Sequence, residues 1–372
     1  MPGPDQDPVP VYRKQEQEPA STEVTEVAPG ILRLQLPISM PGLGHVNCYA
    51  LEDEEGFALV DPGLPGPESW EALGSRLDAA GIPLRRVHTA IVTHSHPDHF
   101  GGADQLREEA GAEVLTHESF RSMVARANDD IDMDLLDASE DELVELWKRR
   151  FAEFEPTPWG TRREPPPDGA IRRWIVAGDG GRRRVRGPDP TVRVADDEVV
   201  RLARRDWFAV HTPGHTADHL CLYDPEEGVL LAGDHVLPTI TPHIAGSTEV
   251  DDPLATFFAS LEKVAALDGL TCCLPAHGHP FEDLEERCAH IRHHHDDRLD
   301  LLRFAADEHV DAPVQEWMKV LFKERSWGEM AASETFAHLE HLRITGDATA
   351  RRDDEGLLRF TIADSLGPPV EG

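Results

Sequence analysis

Three histidines and one aspartate fall within six residues, and this motif constrains the fold more than any other feature of the sequence. The segment before it, 89–93, is apolar enough for a buried strand, and the two glycines after it mark the entry to a helix. In an extended chain His94 and His96 project to the same side and can chelate one metal ion. The turn that follows directs Asp98 and His99 elsewhere, where they can bind a second ion. Because divalent metals prefer neutral imidazole as a ligand, the motif predicts a metal site at a strand-to-helix junction.

Strand-like and helix-like segments alternate on both sides of this motif. Such alternation is typical of an α/β or α+β sandwich, in which helices cover the faces of sheets. Alternating or continuous apolar runs predict strands at 30–36, 46–51, 57–61, 89–93, 112–116, 191–194, 207–211, 220–223, 228–232 and 271–274, and helices at 67–80, 101–110 and 254–267.

Four further short motifs follow a common pattern of small residues around one histidine or aspartate. They are Leu59-Val60-Asp61-Pro62-Gly63, Thr212-Pro213-Gly214-His215-Thr216, Leu231-Ala232-Gly233-Asp234 and Ala276-His277-Gly278. Together with the Thr-His-x-His-x-Asp-His motif, and in this order, they resemble the signature of the metallo-β-lactamase-fold superfamily over about residues 28–282. The resemblance implies an α+β fold, a four-layer αβ/βα sandwich with the metals at one edge of the sheets.

The resemblance also implies a complete set of metal ligands. A first ion would be held by three histidines and a second by one aspartate and two histidines, with another aspartate bridging both. In this sequence the first set is His94, His96 and His215, the second is Asp98, His99 and His277, and the bridge is Asp234. Asp61 would support the loop that carries the ligands.

A dinuclear site of this kind predicts a hydrolase. Two adjacent divalent ions lower the pKa of a bridging water from 15.7 towards ~7 and stabilise the oxyanion that forms on attack. Asp98 and Asp234 would then be catalytic as well as metal-binding, because they orient the bridging hydroxide. Zinc is the favoured metal for these ligands, and iron or manganese would fit them too.

Composition and the predicted elements divide the chain into three parts, the second of which contains an insertion. We expect a flexible acidic tail over 1–27, a catalytic domain over 28–282 with an insertion at 119–190, and a C-terminal domain over 283–366. Helical patterns at 285–308, 314–322 and 333–342, followed by a hairpin signal within 348–362, predict a winged-helix-like module. The spacing of His294, His295 and Arg298 resembles the helix that begins this extension in some relatives, where it packs over the catalytic domain.

Two histidines near the bridging aspartate are open to two interpretations. His235 directly follows Asp234, and His243 lies a few residues further on. Both can line the mouth of a substrate pocket, and both can equally be plain loop residues.

The net charge of the protein distinguishes between the candidate classes of substrate. The formal net charge is −34, which disfavours nucleic acid and favours a small-molecule ester, thioester, lactone or related acyl compound. Residues 162–186 are an exception to this negative charge, because they contain eight arginines and three acids. Either these arginines pair with the acidic surface, or they clamp an anionic substrate. The second interpretation supports the alternative function, a phosphodiesterase or endoribonuclease. A non-catalytic binding protein on the same fold is a third, weaker alternative.

The remaining features concern the environment of the protein. Five cysteines, an odd number without a Cys-x-x-Cys pair, favour reduced thiols, and the sequence starts without a signal-peptide pattern. No apolar run approaches the ~20 residues of a membrane helix. We therefore expect a cytoplasmic enzyme with no membrane partner, in which the C-terminal module caps the active site or forms a homodimer.

Overall fold

The fold is built on three sheets within residues 14–40, 42–121, 139–177, 187–246 and 250–363, which are the residues that the computed structural model describes. The first sheet has seven strands in chain order, antiparallel from β1 to β4 and parallel from β4 to β7. They are β1 Thr25–Ala28, β2 Ile31–Met40, β3 Leu43–Glu52, β4 Phe57–Val60, β5 Val87–Ile91, β6 Glu113–His117 and β7 Val192–Val194.

The second sheet has five strands in the order β12-β11-β10-β9-β8, with only the β11–β12 pair parallel. They are β8 Val199–Leu202, β9 Arg205–His211, β10 Leu220–Asp224, β11 Val229–Gly233 and β12 Cys272–Pro275. Each strand predicted for the catalytic region overlaps an observed one. The edge strands β1 and β8 were not predicted, because polar residues interrupt their apolar pattern.

Helices cover the outer faces of the two sheets, which pack against each other across a shared core. That core joins residues such as Leu51 and Ile91 of the first sheet to Trp207 and Leu231 of the second. The helices are α1 Pro67–Ala79, α2 Pro97–Phe100 and α3 Ala103–Ala110 beside the first sheet, and α6 Pro253–Ala265 beside the second. This layering agrees with the predicted αβ/βα sandwich.

Between residues 284 and 363, the part of the C-terminal region that the structure describes, there are three α-helices and a small sheet. The helices are α7 Leu284–Phe304, α8 Val314–Leu321 and α9 Glu329–Thr345, and the strands are β13 Ala312–Pro313, β14 Ala348–Arg352 and β15 Leu358–Ile362. The predicted helices and hairpin are thus present. One continuous core runs from Leu230 and Phe257 of the catalytic sandwich to Trp317 and Phe360 of this region. The two regions therefore share apolar interior across residue 283.

The described residues of the insertion contain two α-helices, α4 Glu140–Glu153 and α5 Asp168–Ala177. A capping box between Ser139 and Glu142 begins α4. Trp159 is buried in the core of the C-terminal region, and its carbonyl accepts the main-chain N–H of Leu358 at 2.9 Å. The insertion therefore packs against the terminal hairpin.

The segment predicted as a flexible tail differs from that prediction at residues 14–27. Glu16 is fully buried, and its carboxylate accepts the main-chain N–H groups of Thr239 and Ile240 at 2.8 and 3.0 Å. Val24 and Val27 of the same segment are also partly buried against the cores of the sandwich, but two isolated valines produce no apolar periodicity. Residues 1–13 of the predicted tail lie outside the described residues. Among the described residues, no helix is both long and apolar enough to span a membrane.

Candidate metal centre

All seven predicted ligands meet at one edge of the two sheets. Each ligand loop follows the carboxyl end of a strand, namely β5, β9, β11 or β12. Strands β9, β11 and β12 run in the same direction, so their loops emerge on the same side. Two groups result: His94, His96, His215 and Asp234 form one, and Asp98, His99 and His277 form the other, with the donor atoms of each group within 4.8 Å of one another.

The first group converges on three imidazole nitrogens. Nδ1 of His96 lies 2.9 Å from Nε2 of His94 and 3.0 Å from Nε2 of His215. Oδ2 of Asp234 lies 3.5 Å from the His215 nitrogen and 3.9 Å from that of His94. The second group faces the same aspartate, because Nε2 of His277 lies 3.2 Å from Oδ1 of Asp234. Asp234 therefore stands between the two groups, as its predicted bridging role requires.

Hydrogen bonds on the opposite ring nitrogens fix which atom faces the centre. Nδ1 of His215 donates to the carbonyl oxygen of His243 at 2.7 Å, and Nδ1 of His277 donates to that of His45 at 2.6 Å. Because a carbonyl oxygen only accepts, both Nδ1 atoms carry hydrogen. In the neutral, metal-binding form of each ring the Nε2 lone pair then points inward, an arrangement that metal-binding histidines share.

Asp61, which directly follows β4, connects that strand to the histidine motif after β5. Its carboxylate accepts the main-chain N–H of Thr93 at 2.9 Å, the Thr93 hydroxyl at 2.8 Å and Nδ1 of His99 at 2.8 Å. The backbone of Asp61 is left-handed, with φ of 54°, a conformation that aspartate tolerates better than most residues. Gly101, which follows the motif, lets the backbone of Leu64 approach closely, because a Cβ at this position would lie only 2.0 Å from that backbone.

The protonation states suit metal binding in the first group and at both carboxylates. Burial, with the neighbouring histidines, holds the pKa of His94 well below its ordinary value and lowers the pKa of His96 to about 3. At Asp98 burial alone would raise the pKa, but the electrostatic effect of the adjacent His99 and His277 imidazoles lowers it to about 2. His277 and His99 likewise hold the pKa of Asp234 well below its ordinary value against the effect of burial.

Three inward-facing atoms at the centre indicate that a cation fits. Nε2 of His99, Nε2 of His277 and Oδ1 of Asp234 are buried without a hydrogen-bond partner. Buried polar atoms without partners are costly, and converging lone pairs repel one another. A divalent cation between them removes both penalties, so the cluster is compatible with divalent metal binding.

Several contributing residues were not found from the sequence. His219 is fully buried and accepts the main-chain N–H of Asp234 through Nε2 at 3.0 Å. Ser95 donates to the buried carboxylate of Asp218 at 3.2 Å, which joins two ligand loops. Asp218 and His219 lie within four residues of His215, and Ser95 lies inside the first histidine motif; only that proximity signalled them. Of the two ambiguous histidines, His235 is fully buried and does not line a mouth, whereas the side chain of His243 is 20% exposed.

The arginine-rich segment pairs with acids wherever its contacts are described. Arg163 contacts Glu329 at 2.8 Å, and Arg172 contacts Glu140 at 2.8 Å. These pairs agree with the interpretation of arginines neutralised by the acidic surface. Arg182, Arg183 and Arg184 lie outside the described residues.

A two-sheet sandwich with an aspartate–histidine cluster at the ends of its strands defines a class of metal-binding hydrolases. The chain belongs to the metallo-beta-lactamase superfamily, whose sequence profile matches residues 41–277.

Comparisons with individual proteins agree with this assignment. A metallo-beta-lactamase family protein from Thermus thermophilus superimposes with a TM-score of 0.68 at 30% identity, over 91% of this chain and 100% of that one. A hydroxyacylglutathione hydrolase from Albidiferax ferrireducens is 25% identical over 68% of this chain and 69% of its own length. A human acyl-coenzyme A thioesterase is 28% identical over 52% of this chain and 58% of its own length. The chain spans between 32% and 73% of the length of such curated relatives.

Proposed function

We propose that the protein is a dinuclear metal hydrolase that cleaves an acyl bond, an ester, thioester or lactone, in a small molecule. The observation that carries this proposal is the pair of donor groups that share Asp234, with buried nitrogens and carboxylate oxygens facing one centre. Two relatives are named for hydroxyacylglutathione and acyl-coenzyme A, which favours a thioester. The net charge of −34 supports a small substrate over a polyanion.

Zinc is the metal we propose, because five imidazoles and two carboxylates match its preferences, although iron and manganese accept the same donors. His94, His96 and His215 would hold one ion, Asp98, His99 and His277 the other, with Asp234 shared. When bound, such ions supply Lewis acidity and lower the pKa of a water.

The protein groups around this centre have separate tasks. Asp98 and Asp234 remain ionised beside His99 and His277, so they can accept hydrogen bonds from the attacking water and orient it. Both carboxylates are almost fully buried, at 3% and 6% exposed, and solvent therefore competes little for these hydrogen bonds. Asp61 and the carbonyl groups of His45 and His243 hold three of the proposed ligand imidazoles through their Nδ1 atoms, those of His99, His277 and His215 respectively.

We propose that residues 28–282 form the catalytic domain and that residues 283–366 form a winged-helix-like module. The core that the two parts share supports a role of this module in supporting the active site. A homodimer and a cytoplasmic location remain predictions, and the five unpaired cysteines are consistent with a reducing environment.

One experiment tests the function directly. Metal content is measured on the purified protein, which is then assayed on acyl-coenzyme A, S-acylglutathione, a lactone, a β-lactam and RNA. We expect two metal ions per chain and cleavage of an acyl substrate. His96→Ala should lose both metal and activity. His293→Ala, which removes a 76% exposed histidine paired with Asp297, should retain both. Salt-sensitive RNA cleavage without acyl cleavage would replace this proposal with the nuclease alternative.

A further inference from the structure

The loop after the bridging aspartate connects the metal centre to the C-terminal region. This site loop, residues 235–246, contributes one direct contact to a proposed ligand, the 2.7 Å hydrogen bond from Nδ1 of His215 to the carbonyl of His243. The side chain of the same His243 points to α9, where its Nδ1 donates to Oε2 of Glu334 at 3.1 Å. A single residue therefore joins a proposed metal ligand to a carboxylate of the C-terminal region.

Glu334 is itself held from a second helix. Its other carboxylate oxygen accepts a hydrogen bond from the Arg298 guanidinium on α7, and that guanidinium lies 4.5 Å from the centre of the Phe322 ring. The Glu334 side chain is 11% exposed and that of Arg298 is 16% exposed. A largely buried, charge-assisted pair of this kind has few alternative geometries, so it fixes the position of the His243 ring.

The rest of the site loop is anchored to the same region and to the N-terminal segment. Ser333, next to Glu334, accepts the main-chain N–H of Gly246 at 2.9 Å. Arg287 of α7 donates to the carbonyls of Leu237 and Ile240, each at 2.6 Å. A shift at the middle of the loop would therefore break contacts at its ends. In the described part of the chain, His243 is the residue that contacts both Glu334 of α9 and the proposed metal ligand His215.

We propose that Glu334, braced by Arg298, is a positioning residue that fixes the orientation of His215 through His243. This inference rests on the proposed function, because it requires that His215 binds a metal. It adds a role for the C-terminal region that is separate from the acyl substrate: the region sets metal affinity in a catalytic sandwich to which it supplies none of the proposed ligands.

The test is the metal affinity of Glu334→Ala. Metal-free protein is titrated with Zn²⁺ in competition with a chromophoric chelator, which reports each binding step without any substrate. Loss of groups that orient a ligand weakens metal binding by roughly 10–100-fold, and we expect about 10-fold in one of the two steps. The matched control is Glu340→Ala on the same helix, whose 12% exposed side chain pairs with Arg343 and leaves the site loop untouched. Its zinc affinity should equal that of the wild type.

A double variant shows the route of the effect. His243→Ala keeps the carbonyl that accepts from His215 but removes the ring that Glu334 holds. It should weaken zinc binding to the same extent as Glu334→Ala, and the double variant should lose no more than either single variant. If Glu334→Ala does not fold, Glu334→Gln, which lacks the charge that holds Arg298, takes its place in the same comparison.

The outcomes separate the two proposals. Wild-type protein that binds no zinc would contradict the proposed function. Wild-type protein that binds two ions, with Glu334→Ala binding them as tightly as Glu340→Ala does, would overturn the positioning role alone. Additive losses in the double variant would also overturn it, because they would show two independent effects.

Discussion

Asp61 holds the Nδ1 atom of His99 at 2.8 Å, from a position 38 residues earlier in the chain. The same carboxylate accepts both the main-chain N–H and the hydroxyl of Thr93, so one buried side chain fixes the start of the histidine motif and its last member. The contact places a proposed metal ligand under the control of a residue that is not in either donor group.

Replacing Asp61 with asparagine should therefore weaken metal binding. The amide keeps the size of the side chain but loses the charge that orients His99, and we expect a loss of affinity of roughly 10–100-fold in zinc titration. Asp53→Asn is the control, because Asp53 forms a similar pair with His88 at 2.9 Å outside both donor groups. Equal affinity in the two variants would contradict the role of Asp61.

The donor set could be predicted from sequence because its members lie in short motifs next to strand ends. Alternation and apolar runs placed most strands for the same local reason. Glu16, Glu334 and Arg298 could not be assigned in this way, because each acts across a large separation in the chain through polar contacts that no local pattern encodes. The prediction of a flexible segment at residues 14–27 failed because a buried carboxylate and two isolated valines hold it, and neither produces a periodic apolar pattern.

Metal removal should lower thermal stability. A ligand that binds only the folded state, at roughly 1,000 times its dissociation constant, stabilises the protein by about 4 kcal/mol. For a chain of this size that corresponds to roughly 5 °C in Tm. Calorimetry with and without a chelator measures the shift. His96→Ala should show little response to the chelator, and an equal response in the two proteins would place the bound metal elsewhere.

The contribution of Glu334 to stability should depend on acid pH. Burial alone would raise its pKa, but hydrogen bonding from His243 and the charge of Arg298 lower it to about 2. Because the folded pKa lies below the unfolded value near 4.5, this stabilisation is present above about pH 4.5 and is lost as the pH falls towards 2. Its full size is on the order of 3 kcal/mol.

Urea unfolding of the metal-free protein checks this pH dependence. The difference in unfolding free energy between the wild type and Glu334→Gln should be largest near neutral pH and should close between about pH 4.5 and about pH 2. Metal-free protein is required because acid also releases metal from histidine ligands. A difference that stays constant over this range would show that the pKa of the Glu334 carboxyl is not lowered in the folded state.

A buried ion pair in the second sheet predicts a contrast with an exposed pair in the same sheet. Arg205 contacts Asp224 at 2.8 Å, with side chains 10% and 0% exposed, and its second nitrogen donates to the carbonyl of Pro29. Asp224→Ala would leave this guanidinium buried without its counter-charge, which costs about 3–5 kcal/mol. The Arg201–Asp206 pair has the same 2.8 Å separation but side chains 68% and 59% exposed, so Asp206→Ala should cost under about 1 kcal/mol. Urea unfolding of both variants measures the contrast. Equal losses would mean that Arg205 finds water or another acceptor when Asp224 is removed, and that burial does not govern the strength of this pair.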